Sequence, residues 1–244
     1  MASQLNPLKQ FEIKPLIELP HIGGIDFSYT NSAFFMTLAV MLATAFIVLS
    51  TRRAALVPGR WQSMAELSYE FIANMIEENA GTEGMQYFPY IFTLFMFVLF
   101  GNLLGMVPYA FTYTSHIIVT FAMAAVIFVA VTVIGFKRHG LHFFTLFAPK
   151  GVPWVVLFLL VPIELISYFI RPFTLSIRLF ANMLAGHAIL AVFAGFVAAL
   201  GIFGIGPLAM DVGLILLEFL VAGLQAYIFT ILTCLYLNDA IHLH

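Results

Sequence analysis

Charge is what this chain has least of. Of its 244 residues only 9% are charged and 62% are hydrophobic, and the mean hydropathy is +1.03. Soluble domains carry roughly 25% charged residues, so the composition excludes one and predicts an integral membrane protein. Length and hydropathy allow about five or six membrane spans. The net charge of −2 leaves no basic surface for nucleic acid. The single Cys234 lies in an apolar run, which excludes an internal disulfide and a Cys-based metal site. No Gly-rich phosphate loop and no Ser/His/Asp arrangement of recognisable spacing is present. If the chain serves an energy-converting enzyme, the nucleotide site belongs to another chain. Residues 1–29 are polar and Pro-interrupted, without the order of basic, apolar and small residues that marks a signal peptide.

The apolar runs divide the chain into three sections. Residues 1–30 read as an extended outer segment at the membrane edge. Residues 31–136 hold the first span, Ala33 to Leu49, an amphipathic helix and a membrane hairpin. The first span ends at Thr51-Arg52-Arg53, and with Arg60 following, the positive-inside rule places that end on the cytoplasmic side. In 61–78, Trp61, Met64, Leu67, Phe71, Ile72, Met75 and Ile76 recur at helical steps, and Glu66, Glu70 and Glu77 fall opposite. This predicts a helix on the inner surface, serving as an interface anchor or as a dock for a partner subunit. No formal charge occurs from Gly84 to Phe136; Pro108 to His116 interrupts the run, and Lys137-Arg138-His139 and Lys150 mark the inner side again. Asn102 sits between Gly101 and Gly105, a pattern that predicts close helix packing and an interhelical hydrogen bond. His116 is expected to be solvated at the outer turn.

The third section, 137–244, carries the polar residues that an apolar helix has no structural need for. Arg178 stands mid-way in an apolar stretch, and no formal charge follows it until Asp211. A guanidinium within the bilayer costs about 2.5–3.5 kcal/mol or more and stays protonated. It cannot relay protons, but it can hold a fixed charge where a carboxylate must arrive ionised. The plainer role is an Arg that snorkels to the headgroups. Glu164, Arg171 and Arg178 are spaced by seven, with Asn182 one turn further, and Pro172 is expected to break or kink that helix. Whether 154–170 lies flat or dips in and turns back at Pro162 or Pro172 stays open. On the last helix Glu218 and Gln225 are seven apart, and Tyr236 returns to their face.

A Gly/Pro turn at 201–207 joins two helices, of which 208–237 alone makes about 45 Å of helix against a hydrocarbon core of about 30 Å. A long, strongly tilted hairpin is predicted. Counting back from its turn puts His187 and Glu218 at one depth, with Arg178 and Gln225 deeper. Glu164, Arg171 and Tyr236 fall nearer the inner face. Two polar half-channels with a permanent charge between them fit this register. A carboxylate on a partner would cross lipid neutral and ionise beside Arg178. The alternative is that these pairs only hold the helices together.

Pro172, Leu175, Arg178, Leu179, Ala181, Asn182, Ala185, Gly186 and His187 form one motif, and Glu218, Leu224-Gln225-Ala226, Ile228-Phe229 and Leu235-Tyr236-Leu237 a second. With Gly101-Asn102-Leu103-Leu104-Gly105 through Pro108, they make the chain resemble the a-type, proton-channel stator subunits of F-type rotary ATP synthases over nearly everything past Ser32. The resemblance implies an all-α integral membrane protein of about five transmembrane helices plus surface helices. It implies that Arg178 is the essential stator charge facing a c-ring of small two-helix subunits, with Gln225 its partner on the next helix. Asn182, His187 and Glu218 match outer half-channel positions, and Glu164, Arg171 and Tyr236 positions near the inner one. It further implies peripheral-stalk b-type subunits as partners, no cofactor, no metal and no catalysis by this chain alone. The order of His187 before Glu218 is similar to mitochondrial and related bacterial members, and with the length it fits a bacterial inner (plasma) membrane ahead of a mitochondrial one. Against this stand a self-contained proton or cation channel or a secondary transporter, and a plain membrane anchor. Paired broken helices of an inverted repeat are missing for a transporter, and a central Arg repels the cations of a simple channel. H⁺ versus Na⁺ and the ring size are not written in this chain.

Overall fold

Thr30 stops an extended segment and starts the first helix, because its hydroxyl accepts from the Ala33 amide at 3.3 Å. In the computed structural model, which describes residues 11–18, 28–52, 55–107, 110–147 and 153–242, that helix is α1, Asn31–Thr51. The extended segment before it contributes two short strands, Pro15–Ile17 and Tyr29–Thr30, paired antiparallel. Arg53, Pro108 and Lys150, on which the expected inner charges and hairpin turn partly rest, lie outside the described residues.

The other helices are α2 (Arg60–Gly84), α3 (Phe88–Gly105), α4 (Ile117–His139), α5 (Trp154–Leu200) and α6 (Ile205–Ile241). A single 3-10 turn at Met85–Tyr87 joins α2 to α3, after an interruption at Gly81, whose φ of +68° suits glycine. Five helical stretches are long and apolar enough to cross a membrane: Asn31–Thr51, Arg60–Gly105, Ile117–His139, Val156–Leu200 and Ile205–Ile241. The chain is an all-α, multi-pass membrane protein, as its composition required.

Three expectations change. First, α5 runs without a break through Pro162 and Pro172. Of the break or kink expected at Pro172 the break does not occur, and 154–170, whose path stayed open, continues in the same helix as Arg171 and Arg178. Each proline removes one intrahelical bond, yet a membrane helix loses more by unravelling, since no water replaces the lost bonds. Beside Pro172, Thr174 donates to the Arg171 carbonyl at 3.0 Å. The 47 residues of α5 make about 70 Å of helix, and the 37 of α6 about 55 Å.

Second, the apolar face of α2 divides. Ile72, Met75 and Ile76 are buried, whereas Trp61, Met64, Leu67 and Phe71 stay exposed, and Glu66, Glu70 and Glu77 form a third, polar face. At 100° per residue the seven apolar side chains spread over about 180°, more than one packing contact covers, so part of the set is left for lipid. Third, His116 is half-buried rather than solvated, with its ring stacked on Phe111 at 5.1 Å between centroids. Burial lowers its pKa, because the charged ring would lose hydration.

By contacts the chain falls into two compact units. The first comprises Met1–Arg52, Met96–Ile117 and Leu179–Ala226; the second Arg53–Phe95, Ile118–Arg178 and Tyr227–His244. Within the first, Asn102 is fully buried and donates to the Ala222 carbonyl of α6 at 3.1 Å, the expected interhelical bond. The space over Gly101 and Gly105 is taken by the polar loop: Tyr113 lies over Gly101 and donates to the Phe97 carbonyl at 3.1 Å, and Thr112 lies over Gly105. Within the second, α4 and α5 are tied by Thr120–Ser176 at 3.1 Å and Thr132–Tyr168 at 2.6 Å. The Phe143 ring fills the space over Gly135, and Arg138 pairs with Glu83.

A methyl group at Gly101 has no room beside the fully buried Tyr113 ring. Gly101→Ala is expected to destabilise the subunit by about 1–3 kcal/mol through overpacking, lowering its unfolding temperature in detergent. Exposed Gly213, with nothing near its Cβ direction, tolerates Ala without that loss. Equal unfolding temperatures for the two variants would contradict the loop-in-groove packing.

Candidate functional site

The polar residues singled out in the sequence form two clusters, one in each unit. In the first unit, α5 carries His187 and α6 carries Glu218, with His187 Nδ1 and Glu218 Oε1 3.6 Å apart. The approach depends on Gly186, since a Cβ there would lie 2.5 Å from Glu218 Oε1. Glu218 is only 6% exposed, and neither carboxylate oxygen has a hydrogen-bond partner among the described residues. An ionised carboxylate so placed is costly unless a neighbouring cation or water compensates it. His187 is the ionisable group in position to do so.

On its other side His187 Nε2 stands 3.1 Å from Thr112 Oγ1, and the Phe11 ring packs edge-to-face with the imidazole, 6.2 Å between centroids. A cavity of about 990 Å³ runs from His187 past Asp211 to Glu12, Lys14 and Asn31. It has room for many waters. A smaller groove of about 180 Å³ is shared by Asn182, Gly186 and Glu218. Asn182 is exposed and Gln225 is buried in the same unit.

In the second unit Arg171 is held from three sides. It donates to Asp239 at 2.8 Å, and its guanidinium lies 5.0 Å from the Tyr236 ring centroid and 5.6 Å from that of Tyr168. An ion pair with two cation–π contacts satisfies a half-buried charge more fully than either alone. Glu164 is half-buried one heptad earlier on α5. Arg178 is different. It is exposed on α5, and among the described residues no hydrogen bond or ion pair reaches its guanidinium. The second charge in this heptad row is neutralised within the chain; the third is presented outward.

The family model for the ATP synthase A chain matches residues 33–238. The chain belongs to the ATP synthase A chain family. Relatives named ATP synthase subunit a include that of Paramagnetospirillum magneticum, 59% identical over 246 residues, covering 98% of this chain and 99% of the relative. The Rhodospirillum rubrum subunit is 59% identical over 240 residues with the same two coverages. That of Mesorhizobium japonicum is 56% identical over 248 residues, covering 99% of this chain and 98% of its own. Membership makes the chain a non-catalytic membrane subunit of ATP synthase, serving proton transport and ATP synthesis within a complex of several subunits. A self-contained transporter or a plain anchor no longer needs consideration.

Two contributors to these clusters escaped the sequence reading. Asp239 lies three residues beyond Tyr236, so the α6 stripe that contains Glu218 and Gln225 already pointed to it. Thr112 had no such signal: it is one of several hydroxyls in a loop, and only the fold brings it to His187.

If Asp239 and Tyr236 both anchor Arg171, their losses are coupled. Asp239→Asn and Tyr236→Leu should each lower thermal stability modestly. The double variant should depart from additivity by about 0.5–3 kcal/mol, as expected for groups sharing one partner. Strict additivity in a double-mutant cycle would mean that Arg171 is not their common partner.

Proposed function

We propose that this subunit is the stator of the membrane motor, holding two proton half-channels separated by Arg178 and so coupling proton flow to rotation. The observation that carries this reading is the exposed guanidinium of Arg178, with no hydrogen bond or ion pair among the described residues, on a helix long and apolar enough to span the membrane. Such a charge is too costly to leave against lipid, so its face requires a partner that brings a carboxylate. A ring of small two-helix c subunits, each with a carboxylate at mid-membrane, supplies one after another. Exposed small residues one turn to either side, Thr174, Ala181 and Asn182, let a neighbouring helix come close.

In this reading Asn182, His187, Glu218 and Gln225 belong to the outer path, and Glu164, Arg171 and Tyr236 to the inner one. The section 137–244 is thus the proton-path part of the chain. A proton from the outer side reaches Glu218 by way of water and His187 and neutralises a ring carboxylate. The neutral ring site then turns through lipid at little electrostatic cost. On arriving at Arg178 from the other side it releases its proton into the inner path, because the fixed cation favours the ionised form. Arg178 cannot titrate, so protons do not pass through its position directly. Peripheral-stalk b-type subunits keep the stator from turning with the ring, and the membrane is a bacterial inner (plasma) membrane.

Glu218→Ala in the assembled complex should slow ATP-driven proton pumping by about 10²-fold, the worth of a positioned acid–base group, without adding passive leak. Pumping at the normal rate would remove Glu218 from the path. Cysteines placed beside Glu164 and Tyr236 should react with a membrane-impermeant thiol reagent from the inner face alone. Equal labelling from both faces would contradict two separate half-channels.

A further inference from the structure

Thr112 is a neutral side chain within hydrogen-bond distance of the His187–Glu218 pair, and its surroundings restrict what it can do. Its hydroxyl lies 3.4 Å from the Gly105 carbonyl, to which it donates, and 3.1 Å from His187 Nε2. Gly105 makes this placement possible, since a Cβ there would stand 2.7 Å from Thr112 Oγ1. The loop around Thr112 is anchored independently: Tyr113 donates to the Phe97 carbonyl, and Ser115 donates to the Thr112 carbonyl at 2.5 Å. Thr112 is 4% exposed. The hydroxyl is therefore presented to His187 by a loop that is anchored just after it.

A hydroxyl has one proton and two lone pairs. When its proton is given to Gly105, Thr112 accepts from His187. We infer that Thr112 is a positioning residue of the outer proton relay: it accepts a hydrogen bond from His187 Nε2–H and so assigns Nδ1, the nitrogen facing Glu218, as the one that exchanges protons. This rests on the proposed role of His187 and Glu218 and adds to it the state of the ring. The orienting partner of one imidazole nitrogen sets the chemistry of the other.

The exchange is simple in its balance. Water in the cavity that His187 lines hands a proton to Nδ1, giving an imidazolium whose two N–H groups point at Glu218 and Thr112. Nδ1–H then passes its proton to the Glu218 carboxylate, which leaves a neutral ring and a neutral carboxyl. Nε2–H stays in place throughout, so the ring does not have to flip between turnovers. Without the hydroxyl, Nε2–H of the imidazolium would lose the acceptor that the loop holds in place for it. The other charged groups open to the same space are Asp211 on α6 and Glu12 and Lys14 of the N-terminal segment; none of them forms a hydrogen bond with the ring among the described residues.

The test is ATP-driven proton pumping by the assembled complex, measured against the pH of the outer compartment, for Thr112→Val and Thr112→Ser. Valine keeps the shape and removes the hydroxyl; serine keeps the hydroxyl. The Val variant should pump about tenfold more slowly, the equivalent of about one hydrogen bond, and the alkaline limb of its profile should move to lower pH. The Ser variant should recover most of the rate and the wild-type profile. A Val variant with the wild-type rate and profile overturns the inference, and so does a Ser variant as slow as Val. If the Val complex does not assemble, Thr112→Ala serves instead with the same expectations; failure of both to assemble would make Thr112 a packing residue and also overturn it. His187→Ala separates this inference from the reading beneath it. Undiminished pumping in that variant removes the relay itself, whereas a slow His187→Ala beside a normal Thr112→Val removes only the role of Thr112.

Discussion

A permanent positive charge on the outward face of a membrane helix is the constraint to which the rest of this subunit answers. Arg178 cannot shed its proton, and among the described residues no hydrogen bond or ion pair satisfies it. Arg171, one heptad earlier, shows how the chain satisfies a guanidinium from within. It supplies an aspartate and two tyrosine rings. The contrast between two arginines seven residues apart on one helix separates a charge satisfied within the chain from one that has no hydrogen bond or ion pair among the described residues.

The same economy governs the other polar residues. In a medium without water each buried polar atom needs a specific partner, and most have one: Asn102 on a backbone carbonyl, Thr120 on Ser176, Thr132 on Tyr168. Glu218 departs from this at both carboxylate oxygens. It is buried, its oxygens lack hydrogen bonds among the described residues, and it sits beside a histidine and a groove with room for water. Glycine makes that departure possible at two points, Gly186 under the carboxylate and Gly105 under Thr112. Both glycines provide space rather than backbone freedom, since each lies inside a helix.

Much of this was written in the sequence because the bilayer punishes polar residues heavily. A charge or amide inside an apolar run stands out, and its heptad spacing gives its face; that is why the α5 and α6 stripes, and the pairing of His187 with Glu218, were legible. What was not legible has physical reasons too. The continuity of α5 through Pro162 and Pro172 depends on a surrounding medium that cannot solvate a broken helix, which local propensity ignores. The loop in the Gly101–Gly105 groove and the approach of Thr112 to His187 join residues 75 apart, with no charge or period to announce them. The division of the α2 face depends on how much of a wide apolar arc its neighbours cover.

The central claim is that Arg178 acts as an electrostatic gate rather than a packing residue, and its replacement by alanine in the reconstituted complex tests this most directly. ATP-driven proton pumping and passive proton flux would be followed in the same vesicles. The account predicts that the Arg178→Ala complex assembles, stops pumping and gains a passive proton leak, because nothing then keeps the outer and inner paths apart. Undiminished pumping with no leak would contradict it, and would make Arg178 a side chain that only anchors its helix.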